Sequence, residues 1–471
     1  VMVWAVCLCI HKMAALGFAV LLVFLNLGSS VQAAEHFHTV RVSSLYSSGA
    51  CQQPQTSTNP ATLPIVHRHG PCSDKPHNSP TIEEILAEDE SRVAAINGIK
   101  SSPQSDSTVL PANSGLSLIN GGYVVRVGFG TPAQQVSLDF DTGSSLTWTQ
   151  CLPCKQCYEQ ADPIFDTSKS SSYSNVSCNS HACALVASDT SVPTKCSTAN
   201  TCIYGIAYGD SSISVGYLAQ EKLTLTKADA VSGFMFGCAK ITGGRFGLGG
   251  TFGLAAGLIG LGRGPLSFVT QTAATYERVF SYCIPSSSRY TGFLSFGGRG
   301  TASATPLQYT PMSSADSPFY EVDIVGVSVG GVDLSIPQTV FATAHAIIDS
   351  GTRISRLPPA AYAAIRDAFA AAMSIYPPAP PSIILDTCYD MSNLEVISMP
   401  KIAITFRGGA VIQLHPTGIL YPAGPSKYCL GLAANKKPTQ IAILGNVQQR
   451  TFEILYDETA KRIGFAPNVC K

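Results

Sequence analysis

Two spacings of apolar residues divide the chain. From Gly121 onward, hydrophobic and polar positions alternate in short runs, as in residues 123–129 (YVVRVGF) and 320–327 (YEVDIVGV), with Gly and Pro between them. A period of two predicts strands, so most of the chain reads as β structure. Upstream the period is helical. Ile82, Ile85, Leu86, Val93 and Ile96 fall on one face of residues 81–99, and Thr81 with Glu84 makes a capping box at the start. A second helix is predicted over 359–373 (PAAYAAIRDAFAAAM), with Pro in its first turn and Tyr362, Ile365 and Phe369 on one face.

The strand region is weakly duplicated. Asp141-Thr142-Gly143-Ser144 and Asp349-Ser350-Gly351-Thr352 each follow a strand, and each half later carries an apolar-apolar-Gly triplet, Leu258-Ile259-Gly260 and Ile443-Leu444-Gly445. Two similar β lobes are implied, each presenting one carboxylate. A single Asp-Thr-Gly is an ordinary turn; the paired copies, one per half-chain, carry the weight. Two carboxylates held a few ångströms apart cannot both ionise, so one pKa falls and the other rises. The ionised member can then act as general base on water and the protonated one as general acid toward a carbonyl. The two titrate as a unit. Gly143 and Gly351 lack a Cβ, so the loops can turn tightly and approach each other. Thr142 and Ser350 can hydrogen-bond across the junction, while Ser144 and Thr352 can orient the outer carboxylate oxygens. The pattern points to peptide-bond hydrolysis, with no metal or organic cofactor needed.

Composition narrows this further. A chain of 471 residues predicts two or three units. Charged residues make up 13% and the formal net charge is zero, with no basic stripe, which argues against a nucleic-acid partner. Residues 14–26 are apolar, follow His11 and Lys12, and lead to the small-residue site Val31-Gln32-Ala33, so residues 1–33 are expected to be a cleaved signal peptide. An anchor would need ~20 apolar residues; an uncleaved anchor or a transit peptide is the alternative. Because the chain opens on Val1, the start is expected at Met2 or Met13. Residues 34–114 are rich in Ser, Pro, Thr and His. They are expected to form an inhibitory prosegment and a cleavable linker (101–113) rather than a disordered tail, because a lone amphipathic helix needs a surface to cover its face.

Of the 16 cysteines, Cys7 and Cys9 fall in or before the signal and Cys51 and Cys72 in the prosegment; the remaining twelve, an even number, suit six disulfides in an oxidising compartment. The run Cys151, Cys154, Cys157 could suggest zinc but lacks a second Cys/His pair at matching spacing. Asn175-Val176-Ser177 is a glycosylation sequon. Residues 243–250 (GGRFGLGG) are not a phosphate loop, since no Lys-[Ser/Thr] follows.

From about Gly121 to the C-terminus, and again at residues 63–72 (LPIVHRHGPC), the chain resembles the pepsin-like aspartic protease family. Within it, it is similar to the plant nepenthesin-like group, which includes a protease described as chloroplast nucleoid DNA-binding. Residues 140–148 (FDTGSSLTW) match the first active-site loop and 346–352 (AIIDSGT) the second. The resemblance implies an all-β, bilobal fold with the cleft between lobes, divided as 115–300 (with a cysteine-rich insert at 151–202) and 301–471. It implies catalysis by Asp141 and Asp349, and a flap at Tyr208-Gly209-Asp210 whose Tyr hydrogen-bonds Trp148. It also implies the pairings Cys151–Cys154, Cys157–Cys238, Cys178–Cys202, Cys183–Cys196, Cys283–Cys470 and Cys388–Cys429. The saposin-like insert of other plant members has no room here.

The expected protein is a monomeric secreted endopeptidase made as a zymogen. Its partners are an extended peptide and its own prosegment; no nucleic acid or membrane is expected for the mature form. Its destination is the apoplast or vacuole, with the plastid as the minor alternative. A non-catalytic binder like the xylanase inhibitors on this fold is the rival reading. Three positions depart from the family. Arg353 follows DSGT and is expected to point into a substrate subsite or solvent. Asp139 lies two before Asp141, either as a partly hydrated structural acid or as a perturbation of the pair. Ser211 replaces a flap Gly. His67 and His69 are expected at the prosegment surface, with a part in acid release, together with Arg68, as the alternative.

Overall fold

A computed structural model describes residues 35–45, 49–52, 59–73, 81–101, 122–208, 212–243, 255–300, 305–313 and 317–471. The expected signal, nearly all of the linker, Gly209, Asp210, Ser211 and residues 244–250 lie outside them. Among the described residues no helix is long and apolar enough to cross a membrane.

The chain has the bilobal, mostly β fold of pepsin-like proteases. In the first half, Tyr123–Phe129 pairs antiparallel with Gln134–Asp141, and Gly257–Gly260 lies parallel to the latter, with Gly260 opposite Asp141. In the second half, Ala346–Ile348 lies parallel to Ala442–Leu444, with Ile348 opposite Leu444. Each apolar-apolar-Gly triplet is thus the parallel neighbour of a strand that delivers an aspartate, which is the structural content of the sequence repeat. The halves are joined through one large sheet, where Val279–Cys283 pairs with Glu453–Asp457 and the latter with Arg462–Ala466. Phe280 stacks on Tyr456 in that sheet, with ring centroids 4.5 Å apart.

The N-terminal region is built into this frame. Thr62–His67 is an interior strand, pairing with Gly292–Phe296 on one side and Tyr123–Phe129 on the other. Its alternation buries Leu63 and Ile65 in the core, worth about 1.5–3 kcal/mol for each side chain. Phe37–Arg41 pairs with Val396–Pro400. The helix Ile82–Ser101 begins at the expected capping box. Thr81 N donates to Glu84 Oε2 at 2.8 Å and Glu84 N to Thr81 Oγ1 at 3.2 Å. The second helix, Pro359–Ala372, buries Ala361, Tyr362, Ile365 and Phe369 as its period requires.

Among the described residues seven disulfides are present, and four pairings differ from those implied by the resemblance. Cys283–Cys470 and Cys388–Cys429 agree. Cys151 pairs with Cys238 instead of Cys154, and Cys154 with Cys157. The cause is register: Thr149 lies opposite Cys238 in the parallel pairing of Trp148–Leu152 with Ala230–Gly243, and Cys151 is buried beside it. Cys183 pairs with Cys202 and Cys178 with Cys196, the reverse of the expected exchange. Cys183 faces inward from helix His181–Thr190 and Cys202 is the buried start of its strand, whereas Cys196 is exposed. Cys51–Cys72 clips the N-terminal segment on itself. Among the described residues no group of three or more metal-ligating side chains occurs.

Candidate active site

The two aspartates meet where the halves touch. Thr142 N donates to Ser350 Oγ at 3.1 Å, and Ser350 N to Thr142 Oγ1 at 3.0 Å. Each hydroxyl also donates onward to the opposite strand, Thr142 to Ile348 O and Ser350 to Phe140 O, both at 3.3 Å. This reciprocal grip satisfies buried backbone groups with side chains from the other half, so neither loop can shift alone. Asn446 Nδ2 to Ser350 O (2.9 Å) and Gln449 Nε2 to Asp349 O (3.1 Å) brace the second loop from below.

Each carboxylate accepts two local bonds. Gly143 N reaches Asp141 Oδ1 at 2.9 Å and Ser144 Oγ reaches Oδ2 at 2.8 Å. Gly351 N reaches Asp349 Oδ1 at 3.1 Å and Thr352 Oγ1 reaches Oδ2 at 2.5 Å. Beside Asp141, Trp148 Nε1 donates to the Tyr208 hydroxyl at 2.7 Å, which holds Tyr208 at the end of strand Cys202–Ala207. A cavity of about 140 Å³ remains there, lined by Gly143, Ser144, Ile206, Tyr208, Asp189 and Phe319.

Arg92, from the middle of helix Ile82–Ser101, fills the space between the carboxylates. Its Nη2 lies 2.7 Å from Asp141 Oδ1 and 2.7 Å from Asp349 Oδ1, and its Nε donates to Asp349 Oδ2 at 2.9 Å. All three side chains are buried. The two glycines now have a specific reason: a Cβ on Gly351 would fall 2.2 Å from Arg92 Nη2, and one on Gly143 2.7 Å from it. Burial pushes the Asp141 carboxyl up, against the Arg92 charge and with the Asp349 charge adding to it. Burial pushes Asp349 the same way, but Arg92, its hydrogen bonds and those of Thr352 and Gly351 N–H outweigh it, so Asp349 sits below its ordinary value. With Arg92 between them, the two carboxyls thus shift in opposite directions.

The unusual residues find partners. Arg353 is largely covered by the N-terminal helix rather than open to solvent, and burial opposes its charge while Tyr421 and Asp89 favour it. Asp139 is fully buried, not partly hydrated, and pairs with Arg68 at 3.2 Å. Burial, partly offset by Arg68, raises its carboxyl to about 7. His67 is half-buried rather than on the open surface: it packs edge-on against Tyr123 at 5.1 Å, and burial with nearby cations holds its pKa well below its ordinary range. Asn175 is exposed.

Sequence reasoning missed Arg92 and Asp89, and placed Arg68 with His67 and His69 in acid release rather than opposite Asp139. A signal existed for the first two. The apolar stripe of the helix runs through Ile82, Leu86, Val93 and Ile96, and the stripe position between Leu86 and Val93 is taken by Asp89, with Arg92 one turn on. Charges inside an apolar stripe call for buried partners.

The chain is similar in sequence to known proteins. The family description "Xylanase inhibitor N-terminal" matches residues 123–298 and "Xylanase inhibitor C-terminal" residues 319–467. An aspartyl protease family protein of Arabidopsis thaliana is 48% identical over 96% of this chain and 97% of its own. Aspartic proteinase nepenthesin-2 of Nepenthes gracilis is 35% identical over 83% and 86%.

Proposed function

The chain belongs to the pepsin-like aspartic protease family, in its plant nepenthesin-like group, and we propose that it is the zymogen of a secreted endopeptidase. The observation carrying this reading is the single guanidinium nitrogen 2.7 Å from an oxygen of each aspartate. A cation so placed balances the one negative charge left on two carboxyls that share a proton, and occupies the position a water would need.

With the helix gone, Asp141 and Asp349 share one proton. The ionised carboxylate takes a proton from a bound water, whose oxygen attacks the scissile carbonyl carbon, while the other carboxyl protonates the carbonyl oxygen. The tetrahedral species collapses, the C–N bond breaks and the amine leaves with a proton returned from the pair. No acyl-enzyme forms. Tyr208, held by Trp148, would close the cleft over the peptide. The unit boundaries follow: signal to 33, prosegment and linker 34–114, lobes 115–300 and 301–471.

Acid is the natural release. Asp349 has a depressed pKa, so its contact with Arg92 stabilises the closed form above the ordinary carboxylate range and is lost as pH falls through that lowered value. The test is to acidify the purified full-length protein and assay denatured protein substrate with and without a statine-type transition-state mimic. Cleavage blocked by the mimic is expected. No cleavage at any pH would favour the non-catalytic binder, a reading that the family description's wording keeps in view.

A further inference from the structure

One helical turn before Arg92, Asp89 is fully buried in a site made by the second half of the molecule. Its Oδ1 accepts Arg353 N at 2.6 Å, and its Oδ2 accepts Ile354 N at 3.2 Å and pairs with Arg356 Nη2 at 3.1 Å. Two successive backbone N–H groups and a guanidinium therefore bracket one carboxylate. Arg356 is itself only 1% exposed, and among the described residues its ion pairs are with Asp89 and Glu90, both from the helix. Lys436 adds a second cation at the rim, 2.6 Å from Glu90.

The site does not depend on the helix for its shape. Arg356 Nη1 donates to Ile354 O at 2.8 Å, fixing the guanidinium against its own strand. That strand, Ser355–Leu357, is paired on both sides, with Leu432–Ala434 and with Ala442–Leu444. Ser355 is further tied by its N–H and hydroxyl to Gln448 Oε1. When the helix leaves, Arg353 and Ile354 N–H groups and the Arg356 guanidinium keep their geometry and lose their acceptor. Unpaired donors in such a place are costly, and an incoming carboxylate restores every lost bond.

We propose that Arg353, Ile354 and Arg356 form a subsite of the mature cleft that selects a peptide bearing an acidic side chain, and that Asp89 is the prosegment's mimic of that side chain. The proposal rests on the zymogen reading above. Besides the three donors, the charged and titratable groups facing the subsite are Lys436 and Tyr421 from the second half, His67 from the N-terminal strand Thr62–His67, and Glu88 and Glu90 from the departing helix.

The test uses the acid-activated protein and peptide pairs that differ only by Glu against Gln, scanned along the sequence. Hydrolysis and binding by fluorescence anisotropy are both read. At one position the Glu peptide should be favoured about ten-fold or more in kcat/KM and in Kd at pH ~5.5, the scale of charged hydrogen bonds. The preference should fade below pH ~4, where a peptide Glu takes up its proton. Arg356→Gln should bring the Glu/Gln ratio near one, and Arg356→Lys should restore it in part. Cleavage with equal rates for Glu and Gln at every position would overturn the subsite and leave the protease reading intact. Tighter binding of Glu peptides without cleavage would uphold the subsite and sink the protease reading. Because the Glu/Gln comparison needs only the wild-type protein, a poorly folding Arg356 variant does not blunt it.

Discussion

The two aspartate loops are near copies in their own bonding and unlike in what covers them. Each carboxylate takes one backbone N–H and one hydroxyl, and the Thr142/Ser350 exchange is reciprocal. Above Asp141 lie Tyr208 and a small open cavity; above Asp349 lies the helix, anchored through Asp89 to the very backbone that follows Thr352. The lesson is that symmetry is kept where two carboxylates must face each other, and asymmetry is introduced by the partner that blocks them. The opposite pKa directions of Asp141 and Asp349 fit that division.

The comparison breaks most sharply if either carboxylate is lost. Asp141→Asn and Asp349→Asn should each lower kcat/KM by about a thousand-fold or more, given that positioned acid–base groups contribute roughly 10²–10⁴. Circular dichroism should stay unchanged, and substantial residual cleavage by either variant would refute the shared-proton mechanism. Next comes the cation between them. Arg92→Ala leaves two buried carboxylates uncompensated, a change on the order of 3–5 kcal/mol. The protein should then cleave peptide at once at pH ~5, and an acid-dependent lag as long as that of wild type would show that Arg92 is not the lock.

A third prediction separates the loops by pH. The Asp349 contribution is retained above the ordinary carboxylate range and lost below it, so the rate of helix release, read by hydrogen exchange in residues 82–98, should climb as pH falls. A rate independent of pH would count against it. Asp139 works with the opposite sign. Its carboxyl is raised to about 7, so the ionised form costs stability and the melting temperature should decline as pH rises from ~4 toward that value. Asp139→Asn should flatten this slope. The smallest effect is at the helix start: Thr81→Ala removes a capping bond worth about 1 kcal/mol and should shorten the acid lag only a few-fold.

Much of this was legible before any coordinates. The β periodicity, the duplicated Asp-containing turns and their Gly triplets, the capping box at Thr81 and the helix at Pro359–Ala372 are all local patterns, and local patterns survive folding. The disulfide pairing was not legible, because Cys151 and Cys238 meet through the register of two strands 87 residues apart in sequence. Nor was the placement of His67 or Arg353, each of which looks exposed until the N-terminal segment is laid into the sheet and the cleft.

Read by itself, the chain determined that two acidic turns exist, that glycine and a hydroxyl flank each one, and that an amphipathic helix upstream needs a surface. The tertiary structure decided which surface, and therefore that Arg92 sits between the carboxylates and Asp89 in a bracket of donors. The reason is distance along the chain. A charge in an apolar stripe announces that it needs a partner, but the partner of Arg92 lies 49 residues away in one lobe and 257 in the other, and only the fold brings both to the same nitrogen.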